Sequence, residues 1–133
     1  MRKQAFSAIL LATSLGAYAQ QNATVNENPV LIGNQRSLSI SKEQLVNDPV
    51  LRMPDGDKDY HITGYQVSYV PKGKGSELLG PFVIKGDNLS TGNAASILSR
   101  AQPGDRIFFE EIIAVSNKAG KQPLKLSAAV KIR

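Results

Sequence analysis

Four groups of residues in this 133-residue chain have spacings that chemistry uses. Ser39-Ile40-Ser41-Lys42 has the S-x-x-K spacing in which a serine, opening a helix one turn before a lysine, becomes an acyl-transfer nucleophile. Asp55, Asp57 and Asp59 put carboxylates at the alternating positions that begin a calcium loop. His61 is the one histidine and could serve as general base for a serine. Gly73-Lys74-Gly75-Ser76 carries a fragment of phosphate-loop composition. None of the four is complete. The S-x-x-K enzymes also need a K-T-G strand and a much larger domain, and here Ser39 falls in a strand-like pattern. A calcium loop counted from Asp55 needs Gly and Glu where this chain has Tyr60 and Gln66. No G-x-S-x-G turn exists to present a serine to His61, and Gly73 to Ser76 reads as a hairpin turn. The absence of Cys excludes thiolate metal sites, redox thiols and cysteine nucleophiles, and a single His excludes a His-rich metal site. The expectation is a protein without a catalytic set, a metal or a cofactor.

The elements that carry these residues follow an export label. Arg2 and Lys3, then a mostly apolar stretch from Ala5 to Gly16, then Ala17-Tyr18-Ala19, read as a signal peptide of residues 1–19 cleaved between Ala19 and Gln20. The apolar run is too short for a spanning helix, which needs about 20 apolar residues. Removing Arg2 and Lys3 takes the net charge from +5 to +3 and leaves 114 residues, enough for one domain. That charge suits solubility and gives no footprint for nucleic acid. The densest basic group, Lys118, Lys121, Lys125, Lys131 and Arg133, reads as a solvated face.

Residues 20–28 are polar and aperiodic and read as a flexible leader before a domain of residues 29–133. Val30-Leu31-Ile32 forms a short strand ending at the Gly33-Asn34 turn, and Leu38 and Ile40 mark a second. Ser41 and Gln44 have capping-box spacing, with Ile40 placed to staple onto Leu45, and Asn47-Asp48-Pro49 stops the helix they open. Residues 52–59 are turn chemistry. Residues 60–70 form a long strand in which Tyr65, Val67 and Tyr69 share the core face. Ile62 joins them only if a bulge sits near Gly64. The loop of residues 71–77 leads to a strand at 79–85, which Pro81 assigns to a sheet edge. Residues 92–101 form a second short helix, capped by Ser90 or Thr91, with Ile97 and Leu98 on its buried side. A terminal hairpin pairs 106–116 with 123–133 around Asn117-Lys118-Ala119-Gly120. Leu124, Leu126, Ala128, Val130 and Ile132 face inward on its last strand. The first strand would bury Glu111 beside Ile107, Phe109, Ile113 and Val115 unless a bulge near Glu110-Glu111 re-aims it, and we favour the bulge. The sum is a mainly β, small sandwich-like domain with one or two short helices.

Three stretches in this order resemble the C-terminal domain of GldM-type gliding-motility proteins of the type IX secretion motor. They are Ile40-Ser41-Lys42-Glu43-Gln44-Leu45, then Ile62-Thr63-Gly64-Tyr65-Gln66-Val67-Ser68, then Gly104-Asp105-Arg106-Ile107-Phe108-Phe109-Glu110-Glu111-Ile112. The resemblance spans about residues 28–133. The turn departs from the family's Gly-Pro-Asp-Gly type, having Asn117-Lys118-Ala119-Gly120 instead. It implies a periplasmic, partner-binding domain, here reached by a cleavable signal rather than by a membrane helix and upstream domains.

The leading expectation is therefore an exported, non-enzymatic module, in the periplasm or at the cell surface, that docks another cell-envelope protein. Strand edges and the loops at 71–77 and 117–123 are its candidate contacts, with Lys72, Lys74, Asn117, Lys118 and Lys121 as contact residues. The competing reading is a secreted glycan-binding or protease-inhibitor module.

Overall fold

Every strand that the hydropathy pattern predicts exists, together with short ones it does not mark. The structure, a computed structural model, describes residues 27–73 and 77–133. The signal peptide, its Ala19/Gln20 junction and Lys74 lie outside the described residues. In chain order the elements are β1 (Glu27–Ile32), β2 (Gln35–Ser37), β3 (Ser39–Ile40), α1 (Lys42–Asn47), β4 (Leu51–Arg52), β5 (Tyr60–Val70), β6 (Leu79–Lys85), α2 (Ala95–Arg100), β7 (Arg106–Ser116) and β8 (Leu124–Ile132). Single 3-10 turns cover Asp55–Asp57 and Gly92–Ala94.

The strands form a three-stranded sheet, β2-β1-β4, and a five-stranded sheet, β3-β8-β7-β5-β6. All neighbours are antiparallel except β3 and β8, which run parallel. Val30, Ile32 and Leu51 of the small sheet share one core cluster with Val67, Phe109, Val130 and Ile132 of the large one. Leu45 of α1 and Ile97 of α2 enter the same cluster. The fold is thus the mainly β, two-sheet domain that the sequence implies.

Local chemistry accounts for the connections. Gly33 (φ 59°) and Asn34 (φ 65°) form a two-residue turn between β1 and β2, the left-handed pair that matches strand twist in a hairpin. Ser41 accepts from the Gln44 backbone N–H while Gln44 Oε1 accepts from the Ser41 N–H, completing the capping box. β6 is an edge strand and carries Pro81, after a cis Gly80–Pro81 bond.

Four sequence expectations need correction. Glu27 and Asn28 belong to β1 rather than to the leader, because Asn28 is buried and its amide binds backbone atoms on two strands. Leu38 is 46% exposed, since the chain crosses between the sheets there and its carbonyl accepts from Lys131 N–H. Arg52, read as turn, pairs with Leu31 of β1 as part of β4. The second helix is a 3-10 turn running into α2, and neither Ser90 nor Thr91 caps it by its side chain. Both hydroxyls turn back to Asn88 instead.

Both bulges form. The β5–β7 register shifts between Ile62 and Gln66, bringing Ile62 onto the face of Tyr65, Val67 and Tyr69. Between Phe109 and Ile112, β7 carries one extra residue against β8, and Glu111 adopts φ 52°. Glu110 and Glu111 are both exposed. Beyond the bulge it is Ile112 and Ala114 that are buried, not Ile113 and Val115, because one additional residue exchanges the two faces of a strand.

Candidate functional site

The described residues among those proposed from sequence as contacts fall at opposite ends of the five-stranded sheet. Antiparallel pairing puts Val70 of β5 beside Arg106 of β7 at one end, and Tyr60 beside Ser116 at the other. The loop that holds Lys72 therefore leaves the first end, and Asn117, Lys118 and Lys121 sit at the second. The fold does not bring the two loops together.

At the Lys72 end, a buried carboxylate ties three chain segments together. Asp105 is 5% exposed and directly precedes β7. Its Oδ1 accepts from Lys72 N–H (2.9 Å), and its Oδ2 accepts from Gln102 N–H (2.9 Å) and from the Tyr69 hydroxyl. That hydroxyl also lies 3.0 Å from the Arg100 carbonyl oxygen at the end of α2. Burial pushes the Asp105 carboxyl up, but the donors from Tyr69, Lys72 and Gln102 outweigh it and hold the group below the usual carboxylate range. Burial, then the hydrogen bond to Asp105, pushes the Tyr69 hydroxyl up to about 12. Gly104 donates to the Ile132 carbonyl (2.7 Å), and Ile132 N–H donates to the Asp105 carbonyl (2.8 Å), so the same dipeptide anchors the end of β8. Gly104 has φ 96°, and a Cβ there would lie 2.4 Å from Lys72 Cδ. Only glycine fits the backbone and the lysine stem at once.

At the other end Asp59 plays the matching role. Its Oδ2 accepts from Ser116 Oγ and from Lys121 Nζ, each at 3.0 Å, and its carbonyl accepts from Asn117 N–H at 2.8 Å. The Lys121 ammonium, then the Ser116 hydroxyl, hold the Asp59 carboxyl below its ordinary range, and Asp59 raises Lys121 in return. The Lys121 ammonium also stands 5.6 Å from the centre of the Tyr60 ring, whose hydroxyl donates to the Gln122 carbonyl. Lys118 is exposed, its N–H donating to Ser116 Oγ.

Three of the partial motifs fall wholly among the described residues. Asp59 closes a hairpin, and among the described residues no three His, Cys, Asp or Glu side chains are grouped as metal ligands. Ser39 is in β3, whereas Lys42 sends its Nζ to the Ser99 carbonyl, the cation-at-a-helix-end contact, so the S-x-x-K pair is split. His61 is exposed on β5 opposite Val115. Tyr65 and Tyr69 line the core, each 2% exposed, and Tyr65 meets the Phe109 ring edge-on at 5.8 Å.

Sequence reasoning missed Asp105 as a hub and Asn28 as a bridge. Asp105 left a trace, since an acid immediately before an apolar strand and after Pro-Gly has backbone donors within reach. Asn28 left none, because its partner Ala129 is 101 positions away.

The family resemblance read from the motifs therefore has a physical content. Gly104-Asp105 fixes the sheet end, Ile107 and Phe109 fill the core, and Glu110-Glu111 form the bulge. The chain matches the family model of the GldM C-terminal domain over residues 18–133. No curated protein and no solved structure matches it. With that match covering nearly the whole chain, and its strongest motif accounted for atom by atom, the chain belongs to the GldM C-terminal domain family.

Proposed function

We propose that the chain is an exported, non-enzymatic module that docks another cell-envelope protein through the loops and edges of its five-stranded sheet. Membership of the GldM C-terminal domain family carries this reading, since that domain belongs to gliding-motility and type IX secretion proteins. Export is supported by Arg2, Lys3, the apolar stretch and the Ala17-Tyr18-Ala19 site. The non-enzymatic reading is supported by how two of the candidate groups are spent: Lys42 on a helix end and Asp59 on a hairpin. Among the described residues no helix is long and apolar enough to cross a membrane.

The two docking ends are separated by the length of β5, whose 11 residues extend about 35 Å at the usual strand rise. A partner that touches both Lys72 and Lys118 must therefore run along the sheet. The test is fractionation of native cells with N-terminal sequencing of the tagged chain, followed by in-cell crosslinking with reciprocal capture. The expected result is a mature chain beginning at Gln20 outside the cytoplasm, joined to one envelope protein that recovers it in turn. A cytoplasmic chain that retains residues 1–19, or an exported chain with no reciprocal partner, would overturn the proposal. Labelling by a serine-reactive probe that His61→Ala abolishes would overturn its non-enzymatic part.

A further inference from the structure

At the Lys72 end of the five-stranded sheet, the termini of three strands enclose a cleft of about 320 Å³ lined by Val70, Pro71, Lys72, Gly104, Arg106 and Lys131. Three of its six lining residues are cations. Arg106 and Lys131 are directly paired across β7 and β8 on the same outward face, an arrangement that repels. The ion pairs among the described residues use Arg36, Arg52, Lys121 and Lys125, so neither Arg106 nor Lys131 has an acidic partner there. The carboxylate of Asp105, next to Arg106 in sequence, is taken up by Tyr69 and by the backbone of Lys72 and Gln102. The Lys72 stem passes over Gly104, where a Cβ would lie 2.4 Å from its Cδ. The cleft is a concave site with positive charge in excess.

The next rungs say what kind of anion suits it. Along the outward face, Val70 is followed by Ser68 and Gln66 on β5. On β7, Arg106 is followed by Phe108, paired with Ala129, and then by Glu110. The sequence of environments is cationic, apolar, anionic, at the two-residue step of a strand. Glu110 has no ion pair among the described residues, and Glu111 beside it is joined only to Lys125 at 3.2 Å. An anionic membrane or a polyanion would meet these carboxylates two rungs from the cations and be repelled. An extended peptide with an acid, an apolar residue and a base at alternate positions meets a complement at each rung.

We propose that this cleft is the docking point for an acidic side chain of a partner protein's extended segment, which continues over Phe108 and Ala129 towards Glu110. The inference rests on the interaction reading above and specifies its surface. Arg106 and Lys131 hold the carboxylate, with Lys72 closing the third side. Phe108 supplies apolar contact and Glu110 fixes the direction in which the segment lies.

The test is a ¹H–¹⁵N NMR titration of the isolated domain with acetyl-Glu-Ser-Leu-Ser-Lys-amide, whose first, third and fifth residues carry the pattern. The same peptide with Gln in place of Glu, inorganic phosphate and phosphatidylglycerol vesicles serve as comparisons. Saturable shifts confined to Gly104, Arg106, Phe108 and Lys131, present with the Glu peptide and at least several-fold weaker with the Gln peptide, are expected. Arg106→Gln with Lys131→Gln should weaken binding about five- to tenfold, as two exposed charge contacts are lost, while Lys85→Gln leaves it unchanged. Shifts spread over all lysines, equal response to the Gln peptide, or preferential binding of phosphate or vesicles would overturn the proposal. Because the titration needs no cellular partner, its failure removes this surface without removing the docking reading, which the reciprocal capture tests separately.

Discussion

Asp105 and Tyr69 show how a residue can be decisive for the fold without being chemical machinery. Both sit in a position that an enzyme could use, a buried carboxylate against a tyrosine, yet both carboxylate oxygens accept from donors that belong to the chain's own scaffold. Asp105→Asn replaces a charged acceptor by an amide that turns an NH2 towards one of those donors. We expect a loss of about 2–3 kcal/mol in denaturant unfolding, the scale of hydrogen bonds to a charged group. The carboxyl is held below its unfolded value, so its contribution is complete above the unfolded pKa of about 4 and disappears as pH falls through the folded one. The wild type should lose stability in acid more steeply than Asp105→Asn, which a urea series from pH 6 to pH 2.5 measures. Tyr69 has the opposite sign. Its hydroxyl is raised to about 12, so the unfolded chain ionises first, near pH 10. Stability should fall between about pH 10 and pH 12, and Tyr69→Phe should flatten that fall while lowering neutral-pH stability by about 1–2 kcal/mol.

At the scale of elements, the bulge in β7 and the Asn28 bridge decide which faces and which sheets meet. Deleting Glu111 removes the one extra residue of β7, and by period-two alternation Ile112 and Ala114 still face the core. The deletion also removes a left-handed non-glycine residue, whose cost is about 1–2 kcal/mol. We expect the variant to fold with a melting temperature within a few degrees of wild type. Deleting Ile113 turns Ala114 outward and Val115 inward against a register set by Leu124 and Leu126, and should leave no cooperative melt. Thermal unfolding by circular dichroism distinguishes the two. Asn28 acts differently, as a piece of strand made by a side chain. Its Nδ2 donates to the Ser37 and Ala129 carbonyls while its Oδ1 accepts from Ala129 N–H, so it pairs with β8 where β3 does not reach. Asn28→Ala should cost about 2–3 kcal/mol by orphaning those groups at the junction of the sheets. Both bulges were legible because alternation fails visibly at Ile62 and Glu111, leaving a charge inward or an isoleucine outward. Which residues would be buried beyond Glu111 was not, since Ile112-Ile113 and Ala114-Val115 offer apolar side chains in either phase. The two-residue strand β4 was illegible for another reason: Leu51 and Arg52 are held by Ile32 and Leu31, about twenty positions back along the chain, and no alternation marks so short a strand.

Taken as a whole molecule, the chain has two sheets and one core, stabilised by burial and by hydrogen-bonded carboxylates at the sheet ends without any disulfide. Because Val30, Leu51, Phe109 and Val130 share that core, the sheets should unfold together. Tyrosine fluorescence and far-ultraviolet circular dichroism are therefore expected to give coincident denaturant transitions. The candidate contact residues were legible only as exposed loop positions, and the sequence could not show that Lys72 and Lys118 lie a strand's length apart. The cationic rung of Arg106 and Lys131 was hidden likewise, because it exists only through the register of β7 on β8. The claim that joins these scales is that the sheet's ends dock an envelope protein. Its most direct measurement places the photo-crosslinker p-benzoylphenylalanine at Lys72, at Lys118 and, as a control, at Val46 of α1, which is 42% exposed and belongs to neither loop. An adduct with the same envelope protein from position 72 or 118, and none from 46, is the expected result. A folded, exported chain that gives no adduct from either end, or an equal adduct from position 46, would contradict it.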